Sequence, residues 1–221
     1  LPIFTSNRPW PTSGEPASTV RLHLMGAKEN AGHCQPDKGS FILEACGDVF
    51  AGDRGLTPYK DPRCRTLGSE VAHNLAVPEG CFQTNPSPVA ARWQGEGDAT
   101  QLHAAIDTSG VWQAPVRVAR RSIDSPRPDI IQISDEFELD EARPVTFYLN
   151  TPLPIAVAGT TALVQGKRAR LTVEAPWAAD AAAEEFYCDF AYTPHNRLQL
   201  TSPAATTHRL VTRLRLTVEE S

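Results

Sequence analysis

Gly32-His33-Cys34-Gln35-Pro36-Asp37-Lys38-Gly39-Ser40-Phe41 opens the stretch whose reading decides the fold. His33 and Asp37 lie in a turn-rich loop that runs directly into an apolar segment. Ser40 to Cys46 reads as a strand, and Gly47-Asp48 after it is the dipeptide of a tight hairpin turn. Val49 to Asp53 is then the return strand, antiparallel to the first. Pairing Cys46 with Val49 sets Asp53 opposite Ile42, at the end where the His33 loop begins. Local geometry thus brings a histidine loop and a carboxylate together.

The next piece is Ser69 to Val77, expected as a strand. Its odd positions, Ser69, Val71, His73, Leu75 and Val77, set His73 among apolar residues on one face. Such a histidine is either a core residue with a hydrogen-bond partner or a ligand facing a site. His33, Asp53 and His73 together are suitable zinc ligands, with one position left for water or another residue.

Taken in order, these elements resemble a known family. The Gly32–Phe41 element, then Ala51-Gly52-Asp53-Arg54-Gly55 with Tyr59 shortly after, then Ala72-His73-Asn74, are similar to the C-terminal β-domain of heparinase II/III-type polysaccharide lyases. The family pattern there is His-x-His/Asn-x-Asp before Ser-Phe, an Asp-x-Gly, and a His-Asn. Order and approximate spacing hold across residues 32–74, and the later strands look similar to the rest of that domain.

The resemblance implies a large β-sandwich in which His33 is the active-site histidine and Tyr59 lies near it. It also implies that Gln35, Asp53 and His73 occupy metal-proximal positions. Gln35 stands where many members carry a second histidine, and an amide is a weaker zinc ligand than imidazole. Calcium, or no metal, is therefore the alternative to zinc.

The implied chemistry is β-elimination on a uronic-acid polysaccharide. The C5 carboxylate is neutralised, a base takes the C5 proton, and an acid protonates the C4 glycosidic oxygen. In the family the neutralising group and the principal catalytic tyrosine sit on an N-terminal helical toroid domain. That toroid is the expected partner, and the chain alone is expected to be inactive. The resemblance favours a periplasmic or secreted setting. Two other readings remain open: a non-catalytic carbohydrate-binding or structural β-sandwich module, and a self-sufficient metal-dependent enzyme.

Composition narrows the classes. A chain of 221 residues builds one substantial core. With a net charge of −5, nothing suggests nucleic acid, which calls for a basic face. An acidic sugar would meet local cations instead. Lys60, Arg63 and Arg65, in the loop between Arg54 and Gly68, read either as that patch or as a solvated basic turn. No apolar run approaches the ~20 residues of a membrane-spanning helix. Five cysteines without a CxxC read as free thiols. Without a leading methionine, the chain reads as an excised piece or a processed product.

Residues 1–17 read as a linker and 18–221 as the domain. Ser18–Gly26 is the first expected strand, with His23 outward. Short alternating strands follow at Val89–Trp93, Gln101–Asp107, Val116–Arg121, Asp129–Ser134, Val145–Leu149, Ile155–Ala158 and Arg168–Val173. Ala178–Glu185 reads as one or two helical turns, Phe186–Tyr192 and His208–Val218 as the last strands. The acidic run Asp135–Glu141 reads as a solvated turn. His103, His195 and His208 read as structural or surface residues. About a dozen strands with almost no amphipathic helix predict an all-β antiparallel sandwich.

Overall fold

The computed structural model describes residues 3–8, 19–32, 34–53, 60–188 and 194–218. The chain is an all-β sandwich. Its strands, in order, are β1 (Ile3–Arg8), β2 (Val20–Met25), β3 (Phe41–Ala45), β4 (Asp48–Ala51), β5 (Ala76–Pro78), β6 (Gln94–Gly97), β7 (Leu102–Asp107) and β8 (Val116–Arg127). They continue as β9 (Ile130–Arg143), β10 (Val145–Thr151), β11 (Ile155–Ala158), β12 (Thr161–Gln165), β13 (Ala169–Glu174), β14 (Asp180–Cys188), β15 (Pro194–Thr201) and β16 (Ala205–Val218). A single helical turn, α1 (Cys64–Leu67), and a 3-10 turn over Glu70–Ala72 sit between β4 and β5.

Three antiparallel sheets form, in the orders β1-β2-β3-β4, β14-β15-β10-β5 and β11-β12-β13-β16-β9-β8-β7-β6. The two small sheets are stitched together where β4 meets β10: Gly52 N donates to Asn150 O at 2.7 Å, and Thr151 Oγ1 to Val49 O at 3.0 Å. One hydrophobic core draws on all three sheets, with Leu22, Phe41 and Phe50 meeting Phe147, Leu149, Ile123, Ile133 and Leu214. Phe41 and Phe147 stack with ring centres 6.4 Å apart. Burial of aromatic and branched side chains is the driving force here, at roughly 1.5–3 kcal/mol for each fully buried one.

The β3–β4 hairpin forms one residue earlier than expected. Ala45 pairs with Asp48, so the turn is Cys46-Gly47 and not Gly47-Asp48. Both central residues have positive φ, 53° at Cys46 and 82° at Gly47, the type I′ geometry whose twist matches the flanking strands. A bulge between Leu43 and Glu44 then shifts the register so that Leu43 faces Ala51. Asp53 still returns to the start of β3.

Other segments also differ from expectation. Ser69–Val77 is not a continuous strand; a 3-10 turn leads through extended His73 into the short β5. Ala178–Glu185 is not helical but lies largely in β14, because pairing with β15 overrides the helix propensity of alanine. The acidic run Asp135–Glu141 is not a turn; it lies inside the 14-residue β9. Within the expected linker, Ile3–Arg8 forms β1, in register with β2 from Ile3↔Met25 to Arg8↔Val20. Val89–Trp93 contributes only an isolated bridge, Ala27↔Ala91.

Candidate functional site

Asp53 follows β4 and His73 follows the 3-10 turn, and the fold brings them into contact. His73 Nδ1 lies 2.8 Å from Asp53 Oδ2, with the imidazole fully buried and the carboxylate one-fifth exposed. The opposite ring nitrogen, Nε2, is buried and has no hydrogen-bond partner among the described residues. An aspartate on one nitrogen orients a histidine ring and leaves the other nitrogen for use, the arrangement found in acid–base and metal sites.

Two asparagines hold this pair. Asn74 Nδ2 donates to Phe41 O at 2.7 Å and Gly52 O at 3.1 Å, while Oδ1 accepts the Asn150 backbone N–H at 2.7 Å. Asn150 Nδ2 donates to His73 O at 3.1 Å, and its carbonyl accepts from Gly52 N. The residues flanking Asp53 and His73 are thus fixed by one network in the dry interior. Below it lies Arg121, only 5% exposed, paired with Asp135 through Nε–Oδ1 at 2.6 Å and Nη2–Oδ2 at 3.0 Å. Its Nη1 donates to Gly39 O at 2.8 Å and Asn74 O at 2.9 Å. The eight-stranded sheet therefore grips both the histidine segment and the end of the Gly32–Ser40 loop.

That loop is anchored from its other side too. Lys38 is buried; its Nζ contacts the Gln35 carbonyl and lies 3.3 Å from Asp37 Oδ1. Gln83 bonds the Lys38 backbone both ways, at 3.0 and 2.9 Å, and its own N–H donates to buried Glu70 Oε1 at 2.6 Å. Gly39, at φ 89°, makes the turn into β3 in a conformation that disfavours side chains.

Of the residues expected at the site, Asp53 and His73 meet directly. His33 and Tyr59 lie outside the described residues. Gln35 sits on the anchored loop, half-buried. Lys60 and Arg65 are exposed, and Arg63 is turned onto Asp61 at 3.1 and 2.8 Å. That contact and the Arg63 backbone N–H hold the Asp61 carboxyl at about 2, so Arg63 is largely answered within its own turn. The α1 turn carrying Arg65 packs beside the Glu70–Ala72 turn that leads to His73. Among the described residues, no group of three His, Cys, Asp or Glu side chains could hold a metal ion. Asp53 and His73 supply an oxygen and a nitrogen donor of the right kind, but two zinc ligands at ~2.0–2.1 Å would stand ~3.3 Å apart. Their 2.8 Å contact is a hydrogen bond.

Sequence reasoning missed Asn150 and Arg121, and reached Asn74 only as part of the His-Asn element and Asp135 only as part of an acidic turn. A signal for Arg121 was available: alternation along β8 sets it on the same face as Ala119 and Ile123, both buried. Among the other histidines, His208 is a satisfied core residue, its Nε2 2.9 Å from Arg143 O. His103 pairs with Asp124 at 2.6 Å on the surface.

The fold is a large sandwich that carries an aspartate-oriented histidine at the seam of its two small sheets. Solved structures agree on the fold. A heparinase III matches 99% of this chain with a TM-score of 0.78 at 15% identity. A mutant of the heparan sulfate lyase from Pedobacter heparinus matches 99% at a TM-score of 0.77 and 12% identity. The chain spans about a third of their length, 36% of each. A putative mutarotase from Salmonella typhimurium shares the sandwich more loosely, with a TM-score of 0.53 at 8% identity over 96% of this chain and 97% of that one. No family profile matches the sequence, and no curated protein is similar to it in sequence.

Proposed function

We propose that this chain is the β-sandwich module of a lyase that cleaves uronic-acid-containing polysaccharide by β-elimination, working in a cleft shared with a helical toroid domain. What supports the reading is the near-complete fold match to heparinase III combined with the buried Asp53–His73 pair at the expected place. Asp53 orients His73, and the asparagine network keeps both from relaxing. His33 and Tyr59 are assigned the proton-transfer roles on this side of the cleft. Removing the C5 proton needs a base within hydrogen-bond reach and a neutralised carboxylate, and no water is consumed. Lys60 and Arg65, in the loop and turn that follow Tyr59, are assigned to meet substrate anions. Asp53 and His73, with Gln35 as the third donor, are proposed to hold a divalent ion such as zinc weakly; bound there, it would fix the loop and add positive charge.

Elimination creates a C4–C5 double bond that absorbs near ~230 nm, which gives a direct assay. The 221-residue chain alone is expected to give no signal on heparan-type, alginate or other uronic-acid polymers. The protein joined to its toroid gives one, and His33→Ala in it lowers the rate ~10²–10⁴-fold, the usual worth of a general acid or base. A loss below about threefold removes His33 from the mechanism. Robust elimination by the chain alone overturns the two-domain reading. Saturable polysaccharide binding with no elimination by the joined protein identifies a carbohydrate-binding module instead.

A further inference from the structure

The solvent face of the eight-stranded sheet changes character from one end to the other. Strand register arranges its outward side chains in rows that cross the strands. One row runs Asp107, Arg120, Glu136, Arg209. Each arginine there is answered: Arg120 Nε lies 2.9 Å from Asp107 Oδ2, and Arg209 Nε 3.8 Å from Glu136 Oε1. Farther along, the row through His103, Asp124 and Gln132 reaches Arg213, and the next reaches Arg215 opposite Thr172. Arg170 follows, opposite Thr217.

Arg170, Arg213 and Arg215 are all exposed, and among the described residues none has an ion-pair partner. Glu174 stands opposite Arg213, without an ion pair between them. Arg213 and Arg215 are two residues apart on one strand, so their stems rise ~7 Å from each other. Arg170 is diagonal to Arg215 on the neighbouring strand, at a similar ~7–8 Å. Like charges so placed repel, and in a chain of net charge −5 the arrangement has no bulk explanation. A hollow of about 710 Å³ adjoins Arg213 alone of the three; Glu96, Asp98 and the His103–Asp124 pair make the rest of it acidic, with Gln132 between.

We propose that Arg170, Arg213 and Arg215 form a secondary binding site for a sulfated or carboxylated polysaccharide, laid across β13 and β16 with its anionic groups on the guanidinium stripe and away from the acidic hollow. This rests on the acidic-polysaccharide reading above. Guanidinium forks suit sulfate and carboxylate oxygens. The site lies on the sheet face opposite to the one from which Arg121 reaches the His73 segment, so it holds chain without touching the Asp53–His73 pair. These rows carry no Phe, Tyr or Trp on which nucleic-acid bases could stack, which favours a sugar polyanion over a nucleic acid.

Calorimetric titration of the full chain with a heparin-type hexasaccharide, a sulfate-free polyuronate hexamer and a single-stranded oligonucleotide tests the site. R170Q/R213Q/R215Q is expected to weaken hexasaccharide binding at least ~10-fold and to release roughly one fewer counterion per arginine removed. R213Q alone, the milder variant, should cost ~3-fold, one rim guanidinium's share. R117Q/R120Q/R209Q makes the same charge change among arginines that already have carboxylates, Arg117 Nε lying 3.0 Å from Asp140 Oδ1, and should stay within ~2-fold. Binding by the stripe triple within ~2-fold of the parent, or an equal loss in the control triple, overturns the proposal. So does oligonucleotide binding as tight as that of either sugar. Elimination by the joined protein with an unaltered stripe triple defeats the stripe alone; stripe-dependent binding without elimination defeats the lyase reading alone.

Discussion

Replacing Arg121 by methionine tests whether the layer beneath the site is held electrostatically. Methionine fills the space of the arginine stem between Phe41 and Phe147, whose ring centres lie 6.0 and 5.8 Å from the guanidinium carbon. The change therefore isolates charge and hydrogen bonds from cavity formation. It leaves Asp135, 3% exposed, without its counter-charge. Removing one member of a buried pair typically costs ~3–5 kcal/mol. It also orphans two buried acceptors, Gly39 O and Asn74 O, each worth ~1–3 kcal/mol unless water replaces the donor. With partial overlap, a loss of about 5 kcal/mol is expected, against a typical total of ~5–15. For a chain of this size that is a Tm drop of ~10–20 °C. The assay is urea unfolding followed by tryptophan fluorescence. Arg121→Met with Asp135→Leu removes the stranded charge and keeps the orphaned carbonyls, so it should recover ~2 kcal/mol of the loss. A single-variant cost below ~1 kcal/mol, or a double variant less stable than the single, refutes the reasoning.

Further outcomes follow from other sites. Protein purified without chelator is expected to carry divalent metal at well below one equivalent, since the described donors number two and Gln35 is a poor third; a stoichiometric, EDTA-resistant metal by elemental analysis would show a stronger site. Asp98 is held at about 2 by the Thr100 hydroxyl and then by the Gln101 and Thr100 backbone N–H groups. Its folded value is below the ordinary ~3.9, so its contribution to stability is complete above that value and disappears as pH falls through about 2. Carboxyl-carbon NMR should record this titration, and Thr100→Ala should raise it; no rise would remove the hydroxyl as the cause.

The fold was legible because its strands obey a short-range rule. Alternation marked β7, β10, β11, β13 and β16 to within a few residues, and the first half of β8, since the pattern follows one buried and one wetted face. The failures share one cause, which is that distant pairing overruled local preference. Ala181-Ala182-Ala183 would favour a helix alone, but antiparallel pairing opposite Leu200, Gln199 and Leu198 makes them a strand. The acids of Asp135–Glu141 read as a solvated turn, yet they lie in a long strand: Glu136, Glu138, Asp140 and Glu141 face solvent, while Asp135 turns in to meet Arg121.

The Asp53–His73 pair was legible for a reason that survived two wrong intermediates. The hairpin turn forms one residue early, and the bulge at Leu43/Glu44 restores half of the register offset, so Asp53 reaches the start of β3 by either route. The 69–77 segment is no strand, but His73 is buried beside that same end because Asn74 ties it to Phe41 O and Gly52 O. What sequence could not supply is the support. Asn150 is separated from His73 by 77 positions and Arg121 from Asn74 by 47. Neither contact leaves a periodic trace, because a single polar side chain satisfying a distant carbonyl imposes no pattern on its neighbours. Such residues show themselves only as polar side chains at positions where alternation demands apolar ones. Arg121 and Asp135 both meet that criterion, and together they identify where the sheet reaches under the site.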